Sequence, residues 1–323
     1  MKLNLPILSQ ISHCKNLLIA GMGGGFDIFC GLPIYLELQQ LGINCHLANL
    51  SFSNITFSAG ADIENRLKLT ETLVGVNYQT QDLKLVYFPE LYLAQWFQEK
   101  HQQDITIWCF KKTGVQPLID NYSTLIKHLS IDGILLIDGG VDSLIRGDED
   151  EMATLLEDAV SLLAVSQFPE ISTKLIGCVG FGAERDITYA HILENIAALA
   201  ATGDFLGSCS LLRQMETYQK YEDAVLYVQN KRFQDPSVIN SSIISAVQGH
   251  YGDYHLTTKT HGSKLWISPL MSIYWFFDLQ AVVQRHLFLE QFLLTNSFND
   301  VMKVMMMILQ MKKKRTSIKK IPL

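Results

Sequence analysis

Three stretches of this chain place glycines and carboxylates directly after an apolar run, the pattern of a ligand loop at the end of a strand. In GMGGGFD, Gly21, Gly23, Gly24 and Gly25 strip the backbone of side chains just ahead of Asp27. Bare N–H groups before a helix, reinforced by the positive end of its dipole, hold an anion such as a phosphate. Asp27 is read either as a helix cap or as the residue that orients a ligand hydroxyl or an ion, since a carboxylate repels a bare phosphate. In ILLIDGGVDSL the apolar run ends at Asp138, Gly139 and Gly140 free the backbone, and Asp142 follows. Such hard oxygen donors suit Mg²⁺, Mn²⁺ or Ca²⁺, and either residue can instead serve as a base. In GFGAERD, Gly180 and Gly182 bracket Phe181, and Glu184, Arg185 and Asp186 stand at the turn. Glu184 is the acid or base of this third loop and Arg185 its anion clamp. The alternative for the glycines is structural: tight turns that let helices pack on a sheet.

Familiar nucleotide signatures do not fit. Counting G-x-G-x-x-G from Gly21 and Gly23 requires glycine where Phe26 stands, and the next strand end, HLANLSFSN, lacks a ribose-binding acid. No Lys-Ser or Lys-Thr follows, which excludes a Walker A loop. Serine-hydrolase elbows and zinc-protease motifs are absent as well. The loop GHYGDYHLTTKTHG carries His250, His255 and His261 without zinc spacing, and reads as a surface loop or a lid over a substrate. Six dispersed cysteines, none in a CxxC pair, read as buried thiols of a reducing compartment.

These loops must be positioned by strands and helices, and the N-terminal two-thirds alternates the two. NLLIAG, INCHLANL, LKLVYF, DITIWCF, DGILLID and TKLIGCVG read as strands. Amphipathic patterns between them read as helices, with Pro33 in the first turn of a helix over Leu32–Leu41 and the acids of Asp148 to Glu151 opening the helix EMATLLEDAVSLLAV. After Gly203 the patterns turn helical, over Leu206–Asn230 and Pro236–Gln248 and on to the end. The expected fold is therefore α/β, a Rossmann-like three-layer sandwich with a mostly parallel sheet and a helical C-terminal portion. The expected division is a core over 1–205, a mainly helical portion over 206–311 packed on it, and a basic tail over 312–323. The apolar segment SPLMSIYWFFDL reads as a buried strand or helix rather than an interface.

The composition is that of a globular chain with a large core, at 48% hydrophobic and 18% charged residues. A formal net charge of −6 argues against a nucleic-acid partner, because phosphate neutralisation needs a basic surface. The longest apolar run is too short to cross a bilayer, and the tail KKKRTSIKK reads as a solvated terminus, so no stable membrane insertion and a cytoplasmic location are expected. Nothing in the sequence decides against a homo-oligomer.

The three loops, in this order, resemble the family designated domain of unknown function 1152. The resemblance rests on Gly21, Gly23, Gly24, Gly25 and Asp27, then on Gly139, Gly140, Asp142, Leu144, Gly147 and Glu149, then on Gly180 to Asp186, with an echo in SPLMSIYWFFD. Phe26 departs from the family's first loop, and the family name implies no reaction. The residues themselves predict an enzyme, a hydrolase or a group transferase, acting on a small anionic or nucleotide-like metabolite. Gly21, Gly23, Gly24, Gly25, Asp27, Gly139, Gly140, Gly180, Gly182 and Arg185 would bind that ligand; Asp138, Asp142 and Glu184 would be catalytic; Asp138 and Asp142 would hold Mg²⁺ or Mn²⁺. The alternative is a regulatory protein that binds such a molecule without turnover.

Overall fold

The computed structural model describes residues 6–53, 63–64, 66–82, 86–149, 156–311, 314–315 and 321. In chain order the elements are α1 (Leu8–Ile11), β1 (Asn16–Gly21), α2 (Asp27–Gln40), β2 (Asn44–Ser51), β3 (Ile63–Glu64), β4 (Leu67–Thr70), β5 (Leu73–Val76) and β6 (Gln81–Asp82). There follow α3 (Pro89–His101), β7 (Ile107–Lys111), α4 (Val115–Leu129), β8 (Gly133–Gly139), α5 (Leu156–Ser166), β9 (Thr173–Val179) and α6 (Tyr189–Thr202). The chain continues through β10 (Phe205–Ser210), α7 (Glu216–Gln229), α8 (Val238–Val247), β11 (Ile273–Asp278), α9 (Leu279–Arg285) and α10 (Phe298–Met311).

Nine of these strands form one sheet in the order β10-β11-β9-β8-β1-β2-β7-β5-β4. Its centre, β9-β8-β1-β2-β7, is parallel throughout, and the strands on either side of it run antiparallel. The chain leaves β1 on one side to lay down β2 and β7, then returns to lay down β8 and β9 on the other. The order therefore reverses between β1 and β8, and the two loops leaving these strands part there and open a crevice.

Strand alternation builds a core on each face. Leu17, Ile19, Leu135, Ile137 and Leu175 point to the side covered by α2, α3, α7 and α8, while Leu18, Ala20, Ile134, Leu136 and Ile176 meet α4, α5, α6 and α10. With helices on both faces, the central strands are apolar runs rather than alternating ones, as parallel strands covered twice must be. Gly31 in α2 brings that helix close to the reversal point: a Cβ there would lie 2.9 Å from Ile19 Cγ2 and 3.2 Å from Ile137 Cγ1.

Several local expectations differ from the structure. α2 begins at Asp27, so Pro33 lies inside the helix, not in its first turn. A neighbouring carbonyl in this stretch, that of Cys30, accepts the buried Tyr274 hydroxyl at 2.5 Å. Of the expected strand LKLVYF, residues 83–85 lie outside the described residues and Phe88 directly precedes α3; the extra strands here are β4 and β5. The segment after residue 205 is not helical alone. Residues 206–210, expected to start a helix, belong to β10, because the aromatic strand β11 offers them a ladder to pair with. Most of the basic tail, residues 312–313, 316–320 and 322–323, lies outside the described residues. Among the described residues no helix is long and apolar enough to cross a membrane. All six cysteines are unpaired, five of them buried and Cys209 partly so.

Candidate functional site

The glycine loop after β1 closes with one backbone bond of its own, Asp27 N–H to the Gly24 carbonyl at 3.2 Å, and is otherwise held from outside. Met22 N–H donates to the Ile137 carbonyl of the neighbouring β8 at 3.0 Å, and Ser161 Oγ donates to the Met22 carbonyl at 3.0 Å. Asn49 Nδ2, at the end of β2, donates to the Gly25 carbonyl at 2.8 Å, and Asn240 Nδ2, on α8, to the Phe26 carbonyl at 3.2 Å. The N–H groups of Gly24, Gly25 and Phe26 are bonded to no other described residue. Gly24 and Gly25 take φ of +94° and +59°, which a residue with a Cβ adopts only with strain.

Asp27 does not cap its helix. Its Oδ2 reaches back to accept the Gly23 N–H at 2.7 Å, and the Gly139 amide bonds the same carboxylate, so one side chain ties the loop after β1 to the loop after β8.

At the end of β8, Asp138 Oδ2 accepts both the backbone N–H of Ser143, at 3.1 Å, and the Ser143 hydroxyl, at 2.5 Å. These bonds close a short 3₁₀ turn, Asp142–Leu144, which turns Asp142 back toward Asp138. Asp158, in the first turn of α5, comes in from beneath. One oxygen from each of Asp138, Asp142 and Asp158 lies within 4.8 Å of the others, and all three residues are buried. Asp158 Oδ1 is buried without a hydrogen-bond partner.

Glu184 closes the opposite wall, its Oε2 accepting the Val141 N–H at 2.6 Å. Tyr189 holds the Glu184 backbone from both sides, with its hydroxyl at 3.0 Å from the N–H and 2.9 Å from the carbonyl. Asp27, Asp138, Asp142, Asp158 and Glu184 line a cavity of about 580 Å³, whose wall also takes in Gly23, Gly139, Arg185, Asp186, Lys259 and Thr260.

Burial dominates the electrostatics. It pushes the Asp138 carboxyl up to about 7, helped by the charge of Asp27 and opposed by the Ser143 bonds. Asp27 also rises to about 7, through burial first and the charge of Asp142 next, against the Gly23 bond. Burial, then Asp142 and Asp138, hold Asp158 and Glu184 well above the carboxylate range. Two unit charges at 4.8 Å repel by about 3–4 kcal/mol at an effective dielectric of 20. Three such carboxyls either share protons or, to ionise together, need a cation between them.

Of the residues expected at the site, Gly23, Asp27, Asp138, Gly139, Asp142, Glu184 and Arg185 line this cavity, and Gly24 and Gly25 line an adjoining one. The other glycines make room for packing. A Cβ at Gly21 would meet Asn49 Oδ1 at 2.3 Å, at Gly140 the Glu184 carboxyl at 2.5 Å, and at Gly180 Ile239 Cγ2 at 2.9 Å, while Gly182 turns the chain with φ +102° beside Met271. Glu149, expected to open a helix, is instead buried and accepts the N–H groups of Arg146 and Gly147. Asp150 and Glu151 lie outside the described residues.

Asp158 and Lys259 join the site without a motif of their own. An acid inside the apolar stretch LLEDAVSLLAV is the signal that marks Asp158. The histidine loop reaches the site through Lys259 and Thr260, while its histidines bond one another's neighbours: His255 contacts Thr260 Oγ1 at 2.8 Å and Asp253 Oδ1 at 2.9 Å, and His250 stacks on Tyr254.

Among known proteins, no curated protein and no solved structure matches this chain. The family model described as protein of unknown function (DUF1152) matches residues 18–311, which takes in every loop of the site and extends past the first two-thirds to which the three motifs belong. With nearly its whole length matched, from β1 to the end of α10, the chain belongs to the DUF1152 family.

Proposed function

We propose that this chain is a Rossmann-like enzyme that hydrolyses a small anionic, nucleotide-like metabolite or transfers a group from it, with a divalent cation, Mg²⁺ or Mn²⁺, held by Asp138, Asp142 and Asp158. The observation that carries the reading is the set of three buried carboxyls within 4.8 Å, all on residues that line the cavity and one with an unpartnered oxygen. All-oxygen donors at a strand-order reversal suit a hard cation, which leaves coordination positions for water and for a phosphate of the ligand. Such a cation supplies Lewis-acid polarisation of a phosphoryl oxygen and a water of lowered pKa.

The charge balance of the wall supports the same conclusion. Among the described residues lining the cavity, the acids Asp27, Asp138, Asp142, Asp158, Glu184 and Asp186 are joined by two bases, Arg185 and Lys259. An anion enters so acidic a cavity in company with a cation. Asp27 then orients the loops, Arg185 and Lys259 clamp the anionic group, and Glu184, whose proton affinity is raised by burial and then by Asp142 and Asp138, donates a proton to the leaving group.

Mn²⁺ titration followed by calorimetry, on wild type and on Asp138→Asn, Asp142→Asn and Asp158→Asn, tests the reading. One tight site lost in all three variants supports it, and identical titrations in all four proteins refute it. Phosphate release from a panel of nucleotides and sugar phosphates then separates an enzyme from a regulatory protein that binds without turnover.

A further inference from the structure

A second cavity, of about 390 Å³, adjoins the first and shares Asp27, Ile239 and Lys259 with it. Its character is different. Phe26, Phe52 and Tyr87 line it, with Gly24 and Gly25 as its floor and Asp235 and Ser237 at its rim. Phe52, just beyond β2, is 42% exposed although its ring lies against the glycine loop. A Cβ at Gly24 would fall 2.3 Å from that ring. One at Gly25 would project between Phe52 and Tyr87, 3.4 Å from the first and 3.1 Å from the hydroxyl of the second.

The missing side chain at Gly24 thus seats the Phe52 ring on the loop backbone, and Phe26, Phe52 and Tyr87 make this second cavity an aromatic slot beside the carboxylates. Phe26 flanks the slot with its ring 6.3 Å from that of Tyr87, and Lys112 Nζ, 5.2 Å from the Phe52 ring centroid, steadies Phe52. A cavity walled by aromatic rings suits a flat π-system, because stacking is tolerant of the ring's identity. Between slot and carboxylates stand Lys259 and the free N–H groups of Gly24, Gly25 and Phe26, the donors that an anionic linker requires.

We propose that the ligand is a nucleoside phosphate whose base lies in the slot lined by Phe52 and Tyr87 and whose phosphates pass Lys259 into the carboxylate cavity. The phosphate end of this assignment rests on the function proposed above; the slot does not. Asp235, 4.0 Å from Lys259 Nζ, would take sugar hydroxyls, while Ser237 Oγ caps α8 by accepting from Asn240. A ring-free anion such as pyrophosphate would leave the aromatic slot unused, and an apolar ring without phosphates would leave Lys259 unused.

The probes are ADP and pyrophosphate, titrated into the full chain with and without Mn²⁺, and the ratio of their affinities is read. The expected result is that ADP binds wild type about tenfold more tightly than pyrophosphate or better, the scale of one base–aromatic stack. Phe52→Ala, at an exposed position, and Tyr87→Ala should each bring the ratio toward one. Equal affinities in wild type, or a ratio that neither substitution moves, would overturn the proposal. Mn²⁺ titrated alone decides the cation reading separately. If Mn²⁺ fails to bind while ADP keeps its advantage, the slot stands and the metal-assisted reaction falls; the reverse outcome leaves the cation and removes the base.

Discussion

Asp27 Oδ2 accepts the N–H of Gly23, four residues earlier, at 2.7 Å, and a Cβ on Gly23 would stand 2.6 Å from that same oxygen. The side chain of the first helical residue thus occupies the space that a side chain in the loop would need. Asp158 crowds the same point from below, at 3.1 and 3.2 Å from the hypothetical Cβ. The glycine is required by its neighbours' carboxylates, not by an unusual backbone angle.

Gly23→Ala should therefore push both carboxylates aside. Overpacking of this kind costs about 1–3 kcal/mol, seen as a lower melting temperature. Mn²⁺ affinity should drop by roughly tenfold, about 1.4 kcal/mol. An alanine variant that binds Mn²⁺ as wild type does would show that Asp158 and Asp27 do not depend on this contact.

Stability without metal should fall as pH rises. The Asp138 carboxyl goes from an ordinary value of 3.8 to about 7 on folding, because burial penalises its charge. Its protonated form stabilises the fold fully below about pH 4, and that contribution disappears as pH rises through 7. The change is on the order of 4 kcal/mol for this residue, since each tenfold change in proton affinity corresponds to about 1.4 kcal/mol. On the function proposed above a cation takes the place of the protons, so Mn²⁺ should raise the melting temperature more at pH 8 than at pH 5.5. An equal rise at both values would argue that the cation binds elsewhere.

Glu90 offers the same linkage outside the carboxylate cavity. It is fully buried, its Oε1 accepts Asn49 Nδ2 at 2.8 Å, and burial pushes it up to about 7. Like Asp138 it stabilises the fold when protonated and ceases to as pH rises through 7. Glu90→Gln keeps an acceptor for Asn49 and cannot ionise. The variant should match wild type near pH 4.5 and exceed it above pH 7 by on the order of 2–3 kcal/mol, measured by urea unfolding at the two pH values.

Glu149 behaves with the opposite sign. Burial raises its pKa, but the Arg146 N–H at 2.9 Å, the Asn195 amide at 2.9 Å and the Gly147 N–H at 2.7 Å together bring it below the usual value. Arg315 adds a contact at 2.7 Å. Its stabilisation is present above the ordinary carboxylate value and is lost as pH falls through the folded one. Glu149→Gln should cost about 2–4 kcal/mol at pH 7 and much less at pH 3. Unfolding curves that separate equally at both values would contradict this assignment.

The sequence made the site's loops legible because strand, glycine and carboxylate follow one another within a few residues. GMGGGFD, IDGGVD and GFGAERD all sit where strands end, and the α/β class follows from the alternation that carries them. Other features are not legible there, for physical reasons. Residues 205–210 pair only because β11, some sixty positions later, supplies an edge, and no local pattern reports an edge that distant. Pro33 falls inside α2 because a helix start depends on how the preceding loop is held, and the bonds from Asn49 and Asn240 that hold this one come from β2 and α8.

Composition, period and spacing thus determined by themselves which residues stand at strand ends: such patterns are local, and a strand followed by glycines exposes backbone wherever it sits. Only the tertiary structure decided which of those residues share a cavity. The reversal of strand order sets β1 beside β8, and the packing of α5 beneath them brings in Asp158, an acid that in one dimension is the ordinary first turn of a helix. Electrostatic coupling falls off with distance in space and burial grows with packing on all sides, and neither is written in the order of the residues.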